Sequence, residues 1–127
     1  MYNADLNYLK QAIKSVQNQF YTNWEICIAD DCSTDKKLVN YLKAITDNKI
    51  KVTFRTENGH ISACSNSAVG IATGEYIALL DQDDLLSKNA LVEIVTLLNQ
   101  NKSIDLIYSN EDKIDEQNRR FDRYFKN

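Results

Sequence analysis

The chain has 127 residues, 43% hydrophobic and 26% charged, the length and balance of one globular domain rather than a disordered segment. Fifteen basic residues against eighteen acidic ones leave a net charge of −3, which argues against a nucleic-acid partner, because such binders carry a basic face. Proline is absent and glycine occurs three times, so either the loops are built on Asn, Asp and Ser or the chain is not a complete domain. No apolar run approaches the roughly 20 residues that span a bilayer. The first residues lack the basic and apolar regions of a signal peptide. Cys27, Cys32 and Cys64 are odd in number and lack paired metal spacing, so they read as reduced thiols of a cytoplasmic protein. The single His60 excludes a multi-histidine metal site.

In chain order, Leu6, Leu9, Ile13, Val16 and Phe20 recur at spacings of three and four, which predicts a helix from Asp5 to Phe20 capped by Asp5 or Asn3. Trp24 to Ala29 is short and mostly apolar and reads as a strand. Lys37 to Thr46 is helical, with Ser33 or Asp35 as its cap. Ile50 to Arg55 alternates with period two, as a half-exposed strand does. Ile61 to Ala72, rich in small residues, is a closely packed helix. Tyr76 to Leu80 is continuously apolar, the pattern of a strand buried on both faces. Ser87 caps a helix through Leu98, and Ile104 to Tyr108 is a fourth strand. Lys113 to Phe125 is a hairpin turning near Gln117-Asn118, or a lid.

Alternating strands and helices predict an α/β fold, a mostly parallel sheet with helices on both faces, forming one domain over residues 1–127. Such sheets bind ligands at the carboxyl ends of their strands. Two acidic clusters sit there, Asp30-Asp31-Cys32-Ser33-Thr34-Asp35 and Asp81-Gln82-Asp83-Asp84. Carboxylates brought together repel unless a cation or a donor-rich ligand lies between them. Oxygen ligands without His or Cys suit Mg²⁺, Mn²⁺ or Ca²⁺ rather than zinc, and such an ion keeps positions for phosphates. Taken singly, each Asp is better explained as a turn former or helix cap. The coincidence of both clusters favours a site.

An ordered series of motifs resembles the nucleotide-binding half of family 2 glycosyltransferases, which have the Rossmann-like GT-A fold. The series comprises Tyr2-Asn3, Ser15 to Gln19 followed by Trp24-Glu25-Ile26, and Asp30 to Asp35. It continues with Asn58 to Ala63 and Asn66, Thr73 to Ala78, Asp81 to Asp84, and Tyr108 to Lys113. The resemblance implies an inverting, metal-dependent, nucleotide-sugar-dependent transferase of the kind that builds bacterial surface polysaccharides. It implies that Tyr2 stacks on the base and that Asp31, rather than Asp30, accepts the base's ring N–H. Asp81 would contact the ribose or sugar. Asp83, with Asp81, would ligate Mn²⁺ or Mg²⁺ at the diphosphate, with Asp84 behind. Ser62 and Asn66 would line the pocket. The donor would be a UDP- or dTDP-type sugar and the acceptor of the intact enzyme a glycan or lipid-linked glycan, at the cytoplasmic face of the membrane. The catalytic base would belong to an acceptor-binding half beyond Lys126.

The resemblance also places a central strand before Tyr2, where this sequence has Met1 alone. The expected consequence is a truncated domain that turns over poorly, with a gap in its sheet filled by rearrangement or by another copy of the chain. The competing reading is a non-catalytic nucleotide- or cation-binding or scaffold module.

Overall fold

The computed structural model describes residues 1–126. Its elements are α1 (Leu6–Gln17), β1 (Ile26–Asp30), α2 (Lys36–Lys43), β2 (Ile50–Phe54), α3 (His60–Val69), α4 (Ala90–Gln100), β3 (Glu111–Ile114) and β4 (Arg120–Tyr124). The backbone divides into two compact units, Met1–Val92 and Glu93–Asn127.

In the first unit, Asp5 caps α1 by accepting from the backbone N–H groups of Asn7 and Tyr8, and Asp35 caps α2 through Lys37 N–H. Both helices start where the sequence places a short polar acceptor. Asn3, the other candidate cap, is used elsewhere: its side-chain oxygen accepts from the N–H groups of Thr34 and Asp35. β1 and β2 pair in parallel, with Ile26 opposite Ile50 and Asp30 opposite Phe54. Alternate strand residues point to opposite faces. On one face Ile26, Ile28, Ile50 and Val52 meet Leu9 and Ile13 of α1 and Leu38 and Leu42 of α2, forming the core. The α3 helix packs on β1 and β2 with Cys64 buried. Buried Gln19 links the end of α1 to the start of α4. Its Nε2 donates to Ser15 O and Ser87 O, and its Oε1 accepts from Leu91 N–H. α4 therefore begins at Ala90, three residues after the expected cap.

Two expected strands are absent among the described residues. Tyr76–Leu80 has no strand partner, and Tyr76, Ile77 and Leu79 are exposed, Leu79 at 84%. Ile104–Tyr108 is likewise outside any strand, and Leu106 and Tyr108 are exposed. Both runs have strand composition, but a strand exists only where a neighbour takes its N–H and C=O groups.

In the second unit, the expected hairpin forms. β3 and β4 pair antiparallel with an irregularity between Glu111 and Lys113. The turn runs through residues 115–119, with Asn118 at φ 58°, a left-handed conformation that Asn tolerates. Asp115 holds this turn by accepting from Gln117 N–H, Arg119 N–H and Arg119 Nε. The ion pairs Lys113–Asp122, Arg120–Asp112 and Lys126–Glu111 cross the ribbon.

Candidate functional site

The carboxyl end of β1 runs directly into Asp30 and Asp31, both 2% exposed. Burying two adjacent carboxylates costs free energy unless donors or a cation meet them. Asp31 is met by both. Its Oδ1 accepts from Arg55 Nε at 2.7 Å and from Gly59 N–H at 3.0 Å. The Gly59 bond, and then the Arg55 side chain beside it, hold its carboxyl below the usual range against the opposing effect of burial. Asp31 Oδ2 has no protein donor among the described residues. Asp30 is met only in part: Oδ2 accepts from Ser33 N–H at 3.1 Å, while Oδ1 is buried without a hydrogen bond. Such an orphaned acceptor is costly, and a ligand donor would satisfy it.

The sequence pattern marks Arg55 only as the end of a strand. The parallel register puts Asp30 opposite Phe54, so Arg55 emerges beside Asp31. A cation following the strand that pairs alongside the acidic one is the signal that would have found it. Its guanidinium is fixed further by bonds from Nη1 to Ala63 O at 3.2 Å and to Ser67 Oγ at 2.7 Å. Gly59 is required there by space rather than by backbone angle. A Cβ on it would lie 2.5 Å from Arg55 Nη2 and 2.7 Å from the Ala63 Cβ.

The loop around these acids is tied to the start of the chain. Asn3 N–H donates to Ser33 Oγ at 2.8 Å. Cys32, at φ 64°, turns the backbone there with an exposed side chain. Tyr2 stands at this end, half exposed, so a planar group could stack on its ring. His60 starts α3 at φ 60° and is exposed. Ser62 and Asn66 lie one helical turn apart on α3, both exposed.

Asp81, Asp83 and Asp84 form an exposed turn closed by Asp84 N–H on Asp81 O at 3.2 Å. Among the described residues no three His, Cys, Asp or Glu side chains converge to hold a metal ion. The structure thus brings Asn3, Asp30, Asp31, Ser33, Arg55 and Gly59 into one hydrogen-bonded assembly, with Tyr2 next to Asn3 in the chain. It does not gather the carboxylates of both clusters into a cation cage.

A parallel α/β unit with its acidic loop at the carboxyl end of a strand is the arrangement in which such folds take ligands. The family model "Glycosyl transferase family 2" matches residues 1–126, and the chain belongs to that family. It is 48% identical over 128 residues to an uncharacterized protein of Sinorhizobium fredii, y4gI, covering 99% of this chain and 14% of that protein. It is 28% identical to the O-antigen biosynthesis protein RfbC of Myxococcus xanthus, covering 99% of this chain and 10% of that one. Among solved structures, residues 1–349 of S. aureus TarS superpose with a TM-score of 0.71 at 27% identity, covering 80% of this chain and 31% of that 1–349 chain. TarS has also been solved in complex with UDP-GlcNAc, where the TM-score is 0.68 at 26% identity, covering 76% of this chain and 29% of that one. The chain thus spans less than a third of each of these proteins.

Proposed function

We propose that this chain is the donor-binding part of a nucleotide-sugar-dependent glycosyltransferase that builds surface polysaccharide. The observation that carries the reading is the Asp31 carboxylate: one oxygen is engaged by Arg55 and Gly59 and the other is left for a single N–H donor. The imide of a uracil or thymine base offers one such donor, and Tyr2 beside it offers a stacking face. The UDP-GlcNAc complex of TarS supports a UDP-type ligand. Asp81 then meets the ribose or sugar, and Ser62 and Asn66 flank it from α3.

The Asp81–Asp84 turn fits Mn²⁺ or Mg²⁺ in its donors, since it presents only oxygen ligands, and those of Asp81 and Asp83 are exposed. With no three-carboxylate cage among the described residues, Asp83 and Asp81 would hold the ion together with the ligand's own phosphates. Such an ion neutralises charge on a departing diphosphate. In this reading transfer inverts the anomeric centre, and the base that deprotonates the acceptor, a glycan or lipid-linked glycan, lies outside this chain. The chain alone therefore binds donor but turns over poorly. We place the intact enzyme in the cytoplasm, at the inner face of the membrane.

Calorimetry with UDP and Mn²⁺ tests the reading. Binding of UDP is expected, weakened at least tenfold by Asp31→Asn, with ADP binding more weakly. Absence of heat with UDP, dTDP and GDP would favour the scaffold reading instead.

A further inference from the structure

The side chains of Asp31 and Arg55 are 3% and 20% exposed, so protein contacts rather than water set the geometry of the pair. The guanidinium is engaged from two sides. Nε donates to Asp31 Oδ1 at 2.7 Å, and Nη1 donates to Ala63 O at 3.2 Å and to Ser67 Oγ at 2.7 Å. Ala63 and Ser67 lie one turn apart on α3. Ser67 Oγ itself donates to Ala63 O at 2.9 Å, which turns its lone pairs toward Arg55. Nη2 lies against Gly59, where an added Cβ would stand 2.5 Å away. A planar fork held in this way is not free to swing out and clamp a phosphate. What it fixes is the carboxylate of Asp31.

The consequence lies in the second carboxylate oxygen. Oδ1 is occupied by Arg55 Nε and Gly59 N–H, so the carboxylate does not turn without breaking a charge-assisted bond. The Gly59 bond first, and Arg55 after it, hold the group below the usual carboxylate range against burial. It is therefore ionised at neutral pH, and an ionised carboxylate only accepts. Oδ2 stands in one place and takes one N–H. Uracil and thymine offer that N–H on the imide ring nitrogen. Cytosine carries a bare lone pair at the same ring position, and two acceptors facing each other in a buried site leave both unpaired.

We infer that Arg55 is a positioning residue that sets base selectivity: by fixing Asp31 it holds the pocket to a nucleotide whose ring presents an imide N–H, and Ser67 holds Arg55 in that pose. The inference rests on the nucleotide reading above and adds to it two residues that touch no ligand. Without the fork, Asp31 keeps only the Gly59 bond and turns. Its oxygens then meet the exocyclic amine of cytosine as readily as the imide of uracil. Ser67→Ala loosens the same fork from its far end.

Calorimetry with UDP and with CDP, each in Mn²⁺, tests this. The wild-type chain is expected to prefer UDP by about tenfold or more, the worth of one charge-assisted hydrogen bond. In Arg55→Met that preference should nearly vanish. In Ser67→Ala, with circular dichroism unchanged, it should fall part of the way, and this variant decides alone if Arg55→Met does not fold. In an Asp31→Asn background, Arg55→Met should change UDP affinity by less than about twofold, because it acts through Asp31. The Gly59 amide proton, bonded to Asp31 Oδ1, should shift in the NMR spectrum of both single variants without any nucleotide. An unshifted Gly59 signal in both variants would overturn the coupling of Arg55 to Asp31, as would a full effect of Arg55→Met in the Asp31→Asn chain. A UDP-binding chain whose preference stays the same in both variants would overturn the selectivity alone. A wild-type chain that binds no UDP would overturn the nucleotide reading and the selectivity with it.

Discussion

Two apolar strand-like runs of this chain meet opposite fates. Ile26–Asp30 is sandwiched between β2, the α1–α2 layer and α3, and ends in two buried carboxylates whose donors are largely in place. Tyr76–Leu80 has, if anything, the stronger strand composition, yet it is exposed and unpaired. Composition specifies what a segment would do given a neighbour. Burial and backbone pairing decide whether it does.

The same difference between buried and exposed apolar residues is tested by truncating one leucine of each kind. Leu38 is fully buried in the α2 face of the core, and Leu38→Ala should cost about 2–5 kcal/mol in urea unfolding. Leu106, in the other run expected to be a strand, is 82% exposed, and Leu106→Ala should change stability by less than about 0.5 kcal/mol. Equal losses at the two sites would erase the distinction.

Glu25 supports the boundary between the two fates, because it ties the Thr73–Gly74 turn to the start of β1. The Lys51 side chain, then the Thr73 N–H, hold its pKa down to about 2 against an ordinary 4.5. A folded-state pKa below the unfolded one contributes stability above the unfolded value and loses it as pH falls. Thermal stability should therefore drop between about pH 4.5 and 2 through this group. Glu25→Gln should flatten that part of the profile, while a profile unchanged by the substitution would remove Glu25 from the account. A smaller effect is expected at Asp5, where Asp5→Ala removes the acceptor for Asn7 and Tyr8 N–H and should cost about 1 kcal/mol.

Much of this is legible in the sequence. The spacing of Leu6, Leu9, Ile13 and Val16 located α1, the polar residues before α1 and α2 narrowed each cap to two candidates that included Asp5 and Asp35, and Gln117-Asn118 located the hairpin turn. These are local signals, carried by neighbours in sequence. Arg55 was not legible as a site residue, because its role depends on the register of β1 against β2, which no local pattern fixes. The unpaired state of Tyr76–Leu80 was hidden for the same reason, since an apolar run reads alike whether its partner strand is present or not.

The central claim, that the acidic end of β1 is a nucleotide site, is tested most directly by following backbone amide NMR signals while UDP is added. Shifts are expected at Tyr2, Asn3, Asp30 to Asp35, Arg55 and Gly59, fading in Asp31→Asn, with the Glu111–Tyr124 hairpin unmoved. Shifts confined to the hairpin, or none at saturating UDP, would contradict it.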